Sequence, residues 1–108
     1  MTKYKINYHK YLTGAGVLLL ENYNNRWIVI LFKDHTKKYS DIGGTYESKH
    51  IDIKDTAMDE LAEESRKIFI LDNKNLLQKY VDVKYDSNKD DFYRTYLLNI
   101  TNYSFFNY

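Results

Sequence analysis

The chain has no cysteine, no proline, four glycines and one tryptophan among its 108 residues. Without cysteine, disulfides, thiolate zinc sites and cysteine nucleophiles are all excluded. Arginine is scarce beside abundant lysine, asparagine, isoleucine and tyrosine. With the missing proline, this is the bias of an AT-rich coding sequence such as that of some large viruses or parasites. It speaks to origin, not to chemistry. Excess charge is lacking as well. Sixteen basic residues against fifteen acidic ones leave a formal net charge of +1. No strong electrostatic claim on nucleic acid or an anionic membrane follows from that balance.

Long hydrophobic runs are also missing. The longest, residues 17–20 and 27–32, fall far short of the ~20 residues of a membrane span. The N-terminal MTKYKINYHKYLT is charged and carries no apolar core of a signal peptide. The expectation is a single cytoplasmic domain over residues 1–108, without internal repeat or linker. His9, His35 and His50 are scattered, with no H-x-x-H or H-E-x-x-H spacing for zinc. They read as surface or loop histidines, His50 being the one nearest the acidic segment described below. No nucleophile elbow or Walker loop is present, and Gly14-Ala15-Gly16 is an incomplete dinucleotide fingerprint.

What is present begins with alternation. Tyr4, Ile6 and Tyr8 alternate with polar residues and predict a half-exposed strand. Residues 17–20 (VLLL) and 27–32 (WIVILF) predict two strands buried on both faces, joined through the turn-forming Asn24-Asn25. A polar loop over 33–42 leads to a Gly43-Gly44 turn. A helix then starts with Asp52 as N-cap, with Asp55 completing a capping box. Ala57, Leu61 and Ile68, with Met58 and Ala62 beside them, form its core stripe, and it fades near residues 68–71. Val81, Val83 and Tyr85 alternate with Asp82, Lys84 and Asp86. The turn 87–91 joins them to a strand whose Phe92, Tyr96, Leu98 and Ile100 share a face, so a hairpin is expected.

The chemistry-bearing feature is the other side of that helix. Glu60 lies one turn below Glu63 and Glu64, so three carboxylates share a patch. Like charges at that spacing weaken a helix by roughly 0.2–0.5 kcal/mol per pair. A bound hard cation such as Mg²⁺, Mn²⁺ or Ca²⁺ would offset the repulsion. A solvated acidic face is the plain alternative.

Residues 43–66 resemble the signature segment of the Nudix hydrolases, G-x5-E-x7-R-E-U-x-E-E-x-G-U, where U is a bulky aliphatic residue. Gly43-Gly44 opens the motif, and Glu60-Leu61-Ala62-Glu63-Glu64 matches its E-U-x-E-E core. The resemblance implies an α/β fold: a Nudix-like α/β/α sandwich, with a mixed sheet, one principal helix, and a C-terminal helix missing or replaced. It implies hydrolysis of a pyrophosphate bond in a nucleoside diphosphate-linked substrate, a nucleotide-derived small molecule or an RNA cap, with Mg²⁺ or Mn²⁺. By position, Glu63 and Glu64 become metal ligands, the Gly43 carbonyl completes part of the shell, and Glu60 is a further ligand or orients the nucleophilic water. Clustered carboxylates holding such an ion can neutralise a pyrophosphate and acidify water.

The sequence departs from the motif at Asp59 (consensus Arg), Ile51 (consensus Glu) and Arg66 (consensus Gly), and its loop after Gly44 is one residue longer. In the family that Arg and Glu brace the loop against the helix. Glu47, His50 and Asp52 are candidate replacements for the upstream Glu, though none is in register. A base from a later loop, among Asp86, Asp90 and Asp91, competes with the ordinary use of Asp in turns. Tyr39 and Tyr46 are the tyrosines best placed for base stacking and Lys33, Lys37 and Lys38 for phosphates, the plain alternatives being packing tyrosines and a solvated lysine loop. Thirty-nine residues follow Phe69, enough for the hairpin and the aromatic TNYSFFNY but barely for a second helix. Either that tail or a second copy is then expected over the other sheet face, and a homodimer is the expectation. The rival readings are a catalytically impaired nucleotide-binding domain on the same scaffold, or an unrelated α/β interaction domain.

Overall fold

A computed structural model describes residues 12–33, 36–47, 49–84 and 91–101. The expectations at Tyr4, Ile6, Tyr8, His9, His35, Tyr85, Asp86, Asp90 and the tail after Thr101 lie outside those residues. The organising element is one long strand, β1 (Leu12–Tyr23), which absorbs both glycines of Gly14-Ala15-Gly16 and the apolar run behind them. It turns through Asn24 and Asn25, both at positive φ (51° and 62°), into the antiparallel β2 (Arg26–Ile30). Two consecutive left-handed residues define the tight hairpin turn whose twist matches that of the strands.

β3 (Phe32–Lys33) and β4 (Tyr39–Ser40) form a small separate ladder. β5 (Ile42–Thr45) then pairs antiparallel with the first half of β1, on the edge whose second half β2 occupies. The other edge of β1 runs parallel to β7 (Phe92–Asn99), and β7 pairs antiparallel with β6 (Lys79–Lys84) at the sheet margin. The result is a mixed sheet with one principal helix, α1 (Ile53–Glu64).

Side-chain alternation decides the two faces. Ala15, Val17, Leu19, Ile42, Tyr96 and Leu98 point one way and meet Ile53, Ala57 and Leu61 of α1 in the core. Each fully buried aliphatic side chain there contributes about 1.5–3 kcal/mol. Phe69, Leu71 and Leu77 from the segment after the helix close this layer, with Phe32 edge-on to Phe69 at 6.1 Å. Among the described residues no helix lies on the opposite face. It presents Trp27, Val29, Val81 and Val83, each about half exposed, around a depression of about 410 Å³ lined by Leu20, Trp27, Lys79, Leu97 and Asn99.

Several expectations change accordingly. β2 is not buried on both faces. It is a margin strand with Trp27 58% exposed. The Gly43-Gly44 pair is not a turn but part of β5, opposite Gly16 and Ala15 of β1. In the hairpin, Asp82 rather than Val81 or Val83 faces the helix side, where Arg94 grips it bidentately at 2.8 and 3.1 Å beneath the Tyr80 ring. A charged pair of that geometry satisfies both partners and makes an inward Asp tolerable.

The helix also ends earlier, at Ser65, leaving Ile68 48% exposed instead of in the core stripe. Its exit is a Schellman turn. The Arg66 amide donates to the Glu63 carbonyl and the Lys67 amide to the Ala62 carbonyl, with Arg66 left-handed at φ 55°. Arg66 stands where the motif has Gly, and it adopts the conformation that glycine favours.

Candidate active site

Two local devices aim the helix. Asp52 accepts from the amides of Lys54 (2.8 Å) and Asp55 (3.3 Å), while Asp55 accepts from those of Ile51 and Asp52 (3.0 Å each). This is the expected capping box. The amide of Asp52, more than any other cause, holds the Asp55 carboxyl below its usual range. Lys74, from the 3₁₀ turn Lys74–Leu76, reaches Asp52 (3.1 Å) and Asp55 (3.6 Å).

The second device is the glycine pair. On the helix side of β5 the Glu60 carboxyl lies directly against Gly44, where a β-carbon would collide with it. On the opposite side the Tyr93 hydroxyl lies over Gly43 and Gly16. There Asp41 accepts hydrogen bonds from the hydroxyls of Tyr93 and Thr95, at 3.2 Å each. Burial raises the Asp41 carboxyl above its usual range, against the opposing pull of those two donors. Nothing in the sequence pattern had singled out Asp41, Tyr93 and Thr95, because they are brought together only by the sheet.

The Glu60 carboxyl is likewise pushed up, first by burial and then by the charges of Glu63, Glu64, Glu47 and Asp59. These carboxylates therefore share one negative field. Glu63 and Glu64 are exposed beside the half-buried Glu60. Among the described residues no three His, Asp or Glu side chains converge closely enough to hold a metal ion. In chemistry and charge the set fits a hard divalent ion: oxygen donors only, each acid adding to the negative field at Glu60. Seating such an ion would require Glu63 and Glu64 to rotate inward toward Glu60.

The loop between β5 and α1 is held from within. His50 is only 6% exposed. Its Nδ1 accepts from the Glu47 amide (3.2 Å) and lies 2.9 Å from the Thr56 hydroxyl, while its Nε2 lies 2.8 Å from Asp59 Oδ2. Of the expected surface or loop histidine, the loop place holds and the surface exposure does not: the ring is buried. The available signal was a reversal, an acid at the motif's Arg position and a basic residue next to its Glu position. Ile51, in the Glu position itself, is 87% exposed.

Tyr46 donates its hydroxyl to the His50 carbonyl (2.9 Å) and is 39% exposed. Tyr39 is 64% exposed, with Lys33 Nζ 5.6 Å from its ring centre. Lys38 is an exposed residue just before β4. The structure thus brings Glu60 to Gly44 and Tyr46 to His50, and sets Tyr39 on the separate ladder with Lys38 just before it.

The architecture is a mixed sheet with one principal helix, whose Glu60 lies against the glycine-bearing strand β5. Among solved structures the chain is similar to an Ap4A hydrolase of C. elegans, with a TM-score of 0.55 and 14% identity, over 83% of this chain and 68% of that one. A binary complex of a C. elegans Ap4A hydrolase gives a TM-score of 0.56 and 12% identity, over 87% and 69%. At such identity the likeness is one of fold. No protein-family model and no curated protein matches by sequence.

Proposed function

We propose that this domain is a metal-dependent hydrolase of a pyrophosphate bond in a nucleoside diphosphate-linked substrate. The observation that carries the reading is the seating of Glu60, first carboxylate of the E-U-x-E-E core, against Gly44 of the strand that opens the motif. It brings two separate parts of the sequence pattern into contact, which supports the reading. The shared fold with Ap4A hydrolases supports it, and makes dinucleoside polyphosphates the first substrates to try.

Glu60, Glu63, Glu64 and the Gly43 carbonyl are the residues assigned to hold Mg²⁺ or Mn²⁺. Such an ion supplies charge neutralisation of the pyrophosphate and a more acidic water. Glu60, the half-buried member of the three, is either a further ligand of that ion or the group that orients the attacking water. Tyr39 and Tyr46 offer exposed rings for base stacking, and Lys38 a cation for the phosphates. A cytoplasmic site of action accords with this reading. Among the described residues no helix is long and apolar enough to cross a membrane.

The test is incubation with dinucleoside polyphosphates, nucleoside diphosphate sugars and capped RNA, with Mg²⁺ or Mn²⁺, beside a Glu63→Gln control. Turnover in the wild type that is lost in the control is the expected result. A second reading, a catalytically impaired nucleotide-binding domain, is favoured by one observation: among the described residues no three His, Asp or Glu side chains converge closely enough for a metal ion. Nucleotide binding with no turnover of any substrate would establish it.

A further inference from the structure

The segment between Tyr46 and Asp52 must cross from the glycine strand to the acidic helix, and the accuracy of that crossing decides where Glu60 lands. Beside the capping box at its far end, one buried side chain fastens it. His50 is the only buried residue among the described residues of the crossing; it joins loop to helix at two points, Asp59 and Thr56, and takes a third bond from within the loop, the Glu47 amide. The Glu47 amide can only donate, so His50 Nδ1 must accept; the proton then sits on Nε2 and is donated to Asp59. The Thr56 hydroxyl shares the Nδ1 side. The loop closes around this ring. The His50 amide donates to the Glu47 carbonyl at 2.9 Å, and the Tyr46 hydroxyl donates to the His50 carbonyl.

Asp59 immediately precedes Glu60, so fixing Asp59 fixes the rotation of the helix where Glu60 leaves it. Lys49, also from the loop, lies 3.8 Å from Asp59, but it is 60% exposed and ranks below the buried ring as a fastening. We propose that His50 and Asp59 form a polarity-reversed brace, donor on the loop and acid on the helix, that positions Glu60 against Gly44. His50 is on this view a positioning residue. It touches neither ion nor substrate. The link to catalysis rests on the hydrolase reading above; the link to Glu60 placement does not.

The experiment therefore reads both, on the full chain, in His50→Ala, Asp59→Ala and the double variant. The Gly44 amide resonance, recorded without metal, reports the Glu60 carboxyl lying against it. It should shift in both single variants, with no further shift in the double. Mn²⁺ affinity should fall about tenfold to a hundredfold, as when an outer-layer partner of a metal ligand is removed. The losses should be non-additive, as for two groups acting as one unit. His50→Gln, which can still donate to Asp59, should recover part of each effect, and it serves as the test if the alanine variants do not fold. An unmoved Gly44 resonance in folded variants overturns the brace, as do additive losses. A wild type that binds no Mn²⁺ sinks the hydrolase reading, while the Gly44 resonance still judges the brace.

Discussion

The carboxyl group of Glu60 occupies the space beside Gly44 in which any β-carbon on that residue would have to stand. The contact joins a helix position to a strand position far away in sequence, and its chemistry is one-sided. A glycine there lets the acid approach the backbone. Any other residue pushes it out.

Gly44→Ala should therefore act on function more than on stability. The obstructing atoms are the far end of a flexible side chain, so Glu60 can swing aside without moving the helix. We expect a stability change within about 1 kcal/mol and a loss of turnover of at least about tenfold. Gly43→Ala is the contrast, because its β-carbon would meet the Ala15 carbonyl and the Gly16 Cα at 2.7 Å each. Backbone cannot rotate away, and a cost of about 1–3 kcal/mol follows. Urea unfolding beside steady-state kinetics separates the two variants.

Glu60 also predicts a pH dependence. Its carboxyl is raised in the folded chain above its ordinary value of 4.5, so the ionised folded form is disfavoured. The sign follows from linkage: the penalty is present above the raised value and is relieved as pH falls through it toward about 4.5. Glu60→Gln should thus stabilise the metal-free protein at neutral pH and flatten that part of the pH profile, leaving the contribution of Asp41 behind. Mn²⁺ should raise the wild-type Tm and have less effect on Glu60→Gln. Equal Mn²⁺ shifts in both proteins would count against Glu60 as a ligand.

The helix exit offers a stabilising change. Arg66 holds φ 55° at the left-handed position of the Schellman turn, a conformation that costs a side-chain-bearing residue about 1–2 kcal/mol. Arg66→Gly removes that strain but adds freedom to the unfolded chain. A net gain of up to about 1 kcal/mol in urea unfolding is expected. A loss would mean that the Arg66 side chain makes a compensating contact.

The open sheet face predicts self-association. Among the described residues nothing covers Trp27, Val29, Val81 and Val83 or pairs the outer edges of β2 and β6, and folded domains seldom leave such an apolar surface bare. Light scattering should show a mass that rises with concentration, and Val81→Lys should suppress the rise. A concentration-independent monomer would remove the homodimer.

The capping box at Asp52 and Asp55 and the Asn24-Asn25 turn were legible because each is settled by neighbours within a few residues. So was the inward face of β7, since Tyr96, Leu98 and Ile100 alternate strictly. The acidic core of the motif was legible as a pattern, and its resemblance to a known signature placed Glu60, Glu63 and Glu64 on one helix. The exposure of β2 was not legible. WIVILF has the same composition in a central strand as at a margin, and only the pairing order decides between them.

By itself, then, the sequence determined the local chemistry: which residues cap, which turn, which alternate, and that one helix carries three acids three and four residues apart. The tertiary structure decided what those residues face. Parallel pairing of β1 with β7 brought Tyr93 and Thr95 onto Asp41 and put Tyr93 over Gly43. Packing of α1 on β1 and β5 put Glu60 against Gly44, and the buried loop turned His50 toward Asp59. The physical reason is range. Capping and turns close over a few residues, whereas a glycine's purpose is set by whichever side chain the folded sheet and helix press against it.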